Sequence, residues 1–152
     1  MKIAFYTGNN SNSTFAVRAG CWLTKLAQKG PYGHVTHCEA IHAEYGDGCV
    51  LIAGASHRYR GVRSKKIKLD LAKWIIVDVP QWDVNRSLEL LNNTRGQPYD
   101  WSGAIATVLP GKEDAISWFC NEWVSKPFLL SSSNFGPHQL AAICLSIGSI
   151  VK

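Results

Sequence analysis

No apolar run in this 152-residue chain is long enough to cross a bilayer. The longest, from Leu140 to Val151, falls short of the roughly 20 residues that a hydrocarbon core requires and is interrupted by Ser146, Gly148 and Ser149, so a buried helix is expected there. Nothing at the start resembles a secretory leader, and none is expected: Met1 to Tyr6 turns polar at Thr7 and runs into Gly8-Asn9-Asn10-Ser11-Asn12 before an apolar stretch accumulates. Synthesis and folding in the cytosol are therefore expected. Internal repeats, heptads and biased tracts are absent, and the 13 glycines have no period, which removes solenoid, coiled-coil and collagen-like classes. The cysteines Cys21, Cys38, Cys49, Cys120 and Cys144 are an odd set without a repeated short spacing. That speaks against a disulfide framework and a structural zinc knuckle, and leaves free thiols, most of them acting as small buried hydrophobes.

What is present suits one folded domain spanning residues 1–152, since apolar residues make up 46% of the chain and charged ones 18%, with six Trp, five Tyr and five Phe to fill a core. The net charge of +5 comes from one place. Between Ser56 and Leu69 lie Arg58, Arg60, Arg63, Lys65, Lys66 and Lys68 with no acidic residue, and the rest of the chain holds ten basic residues against eleven acidic. Such a segment is either a solvated edge strand whose lysines discourage edge pairing, or a surface for an anionic partner such as a lipid head group, a cell-wall polymer or nucleic acid.

Periodicity divides the chain in two. Residues 1–7 read as a strand, Gly8 to Ser13 as a loop, and Phe15, Val17, Cys21, Trp22 and Leu26 as one face of a helix stopped by Gly30-Pro31. Residues 34–44 and 49–53, separated by Tyr45-Gly46-Asp47-Gly48, form a hairpin, and β-prone segments continue to about residue 80. Then the period changes. Asp83 caps a helix carrying Val84, Leu88 and Leu91 that ends before Gly96; a short helix is expected from Trp101 to Val108, another from Ser117 to near Pro127, and a last one with Pro137 in its first turn. Sheet followed by helices points to an α+β class.

Two segments carry chemistry. Cys120 stands in the first turn of its expected helix, where unpaired N–H groups and the helix dipole favour a thiolate; the plainer reading is a core cysteine between Phe119 and Trp123. A nucleophile needs a base, and the histidines are His34, His37, His42, His57 and His138. In a strand, His37 and Glu39 share one face while Cys38 and His42 take the other, so the carboxylate can orient the imidazole, and a metal site from His34, His37, Cys38 and His42 is disfavoured because its ligands are split.

Taken in order, Thr36-His37-Cys38-Glu39-Ala40-Ile41, Gly61-Val62-Arg63 with its lysine-rich strand, Gly96-Gln97-Pro98-Tyr99-Asp100-Trp101 and Trp118-Phe119-Cys120-Asn121-Glu122-Trp123-Val124 resemble the permuted papain-like amidases. These are the circularly permuted NlpC/P60-like proteins of the YaeF/YiiX type, small phage-encoded members included, and the resemblance covers roughly residues 1–125. It implies a circularly permuted papain-like α+β fold, with a small antiparallel, partly barrel-like sheet packed against helices. It also implies a cysteine hydrolase, an amidase or peptidase in which Cys120 is the nucleophile and His37 the base. Relatives often place a third polar residue on the next strand, where Val50 to Ala55 offers none, so Glu39 becomes the orienting residue, with Ser56 as the fallback. No metal or organic cofactor is implied. The substrate would be an amide or ester, anionic if the basic segment recruits it, as a cell-wall peptide or lipid head group would be. The alternative is a non-catalytic virion or accessory module that keeps the fold, and nucleic-acid binding through residues 58–68 is the weakest option.

Overall fold

The computed structural model describes residues 1–8, 32–102, 117–128 and 136–151. The helix expected after Thr14, and all but the start of the one expected from Trp101, lie outside the described residues. Within them the chain is α+β. Strands β1 (Lys2–Tyr6), β2 (His37–Glu44), β3 (Cys49–Ser56), β4 (Gly61–Lys68), β5 (Trp74–Asp78) and β6 (Ser149–Val151) form one antiparallel sheet in the order β4-β3-β2-β1-β5-β6. Helices α1 (Val84–Thr94), α2 (Cys120–Ser125) and α3 (Pro137–Ile147) complete it.

Alternation explains the layers. Ile3, Phe5, Cys38, Ala40, Ala53, Ala55 and Val77 project to one face and join Leu91 of α1, Trp123 and Val124 of α2 and Leu140 of α3 in the main core. The opposite face carries a smaller cluster of Ala4, Ile41, Val50 and Ile52, flanked by Ile67 and Trp74. Strand β1 is paired on both edges, with β2 and with β5, and buried on both faces, Ile3 and Phe5 in the main core and Ala4 in the smaller cluster. Trp123 is fully buried, and its indole N–H donates to Thr94 Oγ1 at 2.9 Å, which ties α2 to α1.

Three expectations change. The sheet is open, not partly barrel-like: β4 and β6 are its edges, and no bridge joins them among the described residues. The run from Leu140 to Val151 is not one helix. Helix α3 stops at Ile147, Gly148 lies against the Asp78 and Cys144 carbonyls with no room for a Cβ, and Ser149–Val151 pairs with the free edge of β5. Backbone groups offered by that edge win over continued helix. Nor is this run fully buried, since Ile147 and Ile150 are exposed. The strand expected from His34 begins only at His37.

A strap positions the lead-in to α2. Val62 N–H donates to the Gln97 carbonyl and Gly96 N–H to the Val62 carbonyl, both at 2.9 Å; Asp100 N–H then donates to the Trp118 carbonyl at 2.9 Å and Trp118 N–H to the Pro98 carbonyl at 3.0 Å. Residues 96–100 thus bridge β4 to Trp118, two residues before Cys120. Gly61 permits this approach, because its φ of 154° suits only glycine and a Cβ there would strike the Gln97 carbonyl.

Candidate functional site

Glu39, Gly54 and Arg63 form a row across β2, β3 and β4: Gly54 pairs with Arg63, and the β2–β3 register sets Glu39 next to Gly54. The row faces away from the helices. A Cβ on residue 54 would stand 2.5 Å from Glu39 Oε2, so the missing side chain is the space the carboxylate occupies. Arg63 reaches over the glycine and donates from Nη1 to Oε2 at 2.7 Å and from Nη2 to Oε1 at 2.6 Å, the two-pronged geometry that suits a guanidinium and a carboxylate. On its other side Glu39 Oε1 meets His37 Nε2 at 2.8 Å. Burial of Glu39, 1% exposed, would push its carboxyl up, but His37 and Arg63 more than offset this and hold it below the ordinary range.

Cys120 enters from the helix side. Bridging between β2 and β3 stops at Ala40 and Ala53, which leaves the His37–Cys38 end of β2 without a β3 partner. There the Cys120 sulfur accepts hydrogen bonds from the Cys38 thiol and the Cys38 backbone N–H, and it is hydrogen-bonded to the His37 ring. Since Glu39 engages Nε2, Nδ1 is the ring nitrogen left for sulfur. Asn121 Oδ1, 3.8 Å from the sulfur, is an acceptor for the thiol when protonated.

The charges follow from these contacts. The Cys38 hydrogen bond lowers the Cys120 pKa most; burial opposes it, and the His37 charge adds to the fall, so the thiol titrates well below its usual range. Cys38 is driven upward by burial and by its thiolate neighbour, and stays protonated as the donor. For His37 burial favours the neutral ring, but Cys120 and Glu39 outweigh it and push the imidazole up to about 10. The lowered thiol and the raised imidazole both favour a thiolate–imidazolium pair, backed by a carboxylate and a guanidinium.

The structure therefore brings Cys120, His37 and Glu39 together. Ser56 is buried and lines the cavity beside Glu39, while the contact to Nε2 is made by the carboxylate. The other histidines go elsewhere: His34 is exposed, His42 Nε2 pairs with Ser87 Oγ at 2.8 Å, His57 packs on Trp101, and His138 lies in α3. Cys120 opens helix α2 as expected, and hydrogen bonding from Cys38 together with the His37 charge lowers the thiol. Two contributors were missed from sequence. Cys38 was read as pointing away from the chemistry, and Arg63 only as part of a basic rim; a glycine in mid-strand between Glu39 and an arginine was the signal for the second. Set against protein-family models, curated proteins and solved structures, the chain matches none.

Proposed function

We propose that this chain is a cysteine hydrolase, an amidase or peptidase with a circularly permuted papain-like arrangement in which the strand carrying the base precedes the helix carrying the nucleophile. One observation carries the reading: a depressed thiol lies against an imidazole whose far nitrogen is held by a buried, ionised carboxylate. Cys120 Sγ attacks the carbonyl carbon of an amide or ester, the C=O electrons move to oxygen, and the oxyanion is met by the Cys120 backbone N–H. His37 then passes its Nδ1 proton to the departing amine or alcohol as the C–N or C–O bond breaks, leaving a thioester. Water, deprotonated by the now neutral His37, cleaves the thioester and restores the thiolate–imidazolium pair. Glu39 holds the ring and balances its charge throughout, and Arg63 keeps Glu39 ionised. The basic segment fits an anionic substrate, of which a cell-wall peptide or a lipid head group are examples.

One feature favours the alternative of a non-catalytic module that retains the fold: Cys120 is only 4% exposed. Thiol labelling separates the two. For a hydrolase, iodoacetamide modifies Cys120 far faster than the other four cysteines, and Cys120→Ser removes hydrolysis across an amide and ester panel with little change in Tm. Equal labelling of all five thiols, or a Cys120→Ser protein that unfolds, refutes the hydrolase reading.

A further inference from the structure

On the sheet face away from the helices, a cavity of about 150 Å³ opens beside the His37–Glu39–Arg63 row. Its walls are Tyr6, Ile52, Ile67 and Trp74, and Arg58 and Lys65 also line it, both of them exposed. This volume is that of an apolar cavity able to hold a benzene ring. The charge around it is one-sided. Glu39 is the acidic member of the lining and its charge is met by Arg63 at 2.6 and 2.7 Å. Arg58 and Lys65 have no carboxylate within 4 Å among the described residues; Lys65 Nζ instead donates to the Tyr59 hydroxyl at 2.8 Å. Surplus positive charge therefore stands at the edge of an apolar, ring-sized hole.

Position limits the reading. The cavity touches His37 and Glu39 on the side where Nε2 meets the carboxylate, while Cys120 lies on the helix side of that imidazole and is not part of the lining. Nδ1, the nitrogen that protonates the departing group, faces the sulfur, so the cavity lies beside the reacting bond and not at it. We infer that this cavity binds an anionic part of the substrate: a carboxylate or phosphate, held by Arg58 and Lys65, on an apolar body about the size of one six-membered ring. The inference rests on the hydrolase reading for the word "substrate". The binding site itself stands on the cavity and its charges alone.

Binding to Cys120→Ala protein, which has no nucleophile, tests the site apart from the chemistry. The probes are benzoate, phenyl phosphate and, as the uncharged isostere, benzamide, with affinity measured by ligand-observed NMR at about 20 mM and about 300 mM salt. At low salt benzoate should bind several-fold more tightly than benzamide, about fivefold for each cation within some 4 Å in water, and lose most of that margin at high salt. Arg58→Gln with Lys65→Gln, both on exposed side chains, should erase the margin and leave benzamide unchanged, and Ile67→Trp should weaken all three probes by filling the hole. A phenyl phosphate preference over benzoate identifies the anion as phosphate, and the reverse as carboxylate. Equal binding of benzoate and benzamide, or a margin indifferent to the double substitution, overturns the inference even if Cys120 proves to be a nucleophile. Anion-selective binding by a chain whose cysteines all label alike would instead keep the site and sink the hydrolase reading.

Discussion

Gly54→Ala is the substitution by which the architecture of the site is most sharply tested, because it adds one methyl group to one gap. The new Cβ would lie 2.5 Å from Glu39 Oε2, against an ordinary contact of 3.4 Å or more, so the carboxylate must retreat by about 0.9 Å. It is held by Arg63 at 2.6 and 2.7 Å and by His37 at 2.8 Å, and a retreat of that size stretches some of these bonds to about 3.5 Å, beyond the useful range. Glu39 is essentially inaccessible to water, so nothing replaces what is lost. Removing one partner of a buried pair costs about 3–5 kcal/mol; with contacts stretched but not abolished, about 2–3 kcal/mol is expected. For a chain of this size that is a fall in Tm of about 4–12 °C. A thermal melt reads the stability, and the pH profile of Cys120 alkylation reads the site, which should shift toward that of an ordinary thiol as His37 loses support. In a Glu39→Ala background the methyl group has nothing to strike, and the same substitution should cost close to nothing. An unchanged Tm and profile, or an equal cost in both backgrounds, would refute the reasoning.

Four further outcomes follow from the same contacts. Cys120 alkylation should change less than about threefold between pH 8 and pH 6, where a free thiol slows by roughly 100-fold; a free-thiol profile would deny the ion pair. Because the His37 pKa is raised on folding, its contribution to stability is complete below its unfolded value near 6.5 and is lost as pH rises to about 10, so Tm should decline across that interval, and turnover should fall as pH passes about 10. Cys38→Ala deletes the thiol that donates to the thiolate, a charge-assisted bond of about 1.5 kcal/mol or more, and should raise the midpoint of the Cys120 alkylation pH profile by about one pH unit or more; an unmoved midpoint would assign the depressed thiol to His37 alone. Glu39→Gln should cut turnover roughly 10- to 1000-fold, or about 1.4–4 kcal/mol on the barrier, and unaltered turnover would move the orienting role to Ser56 or a backbone carbonyl.

The α+β class, the 45–48 hairpin turn, the Asp83 cap and the start of α3 at Pro137 were all legible in the linear chain, because each is a local property: a period of two or of 3.6, a turn residue, a capping oxygen, a proline at a first turn. So was the pairing of His37 with Glu39, since residues two apart on a strand share a face whatever the fold. The fate of Leu140 to Val151 was not, because its hydropathy suits a helix equally well until the free edge of β5 supplies backbone partners for residues 149–151. Arg63 lies 24 residues from Glu39 and became its partner only through two strand registers and a glycine between them. Cys120 lies 83 residues from His37, and only packing of α2 against the end of β2 sets its sulfur beside both that ring and Cys38. The residue types able to do thiol chemistry are written in the sequence, while the burial and neighbouring charges that decide their protonation exist only once distant strands and a short helix meet.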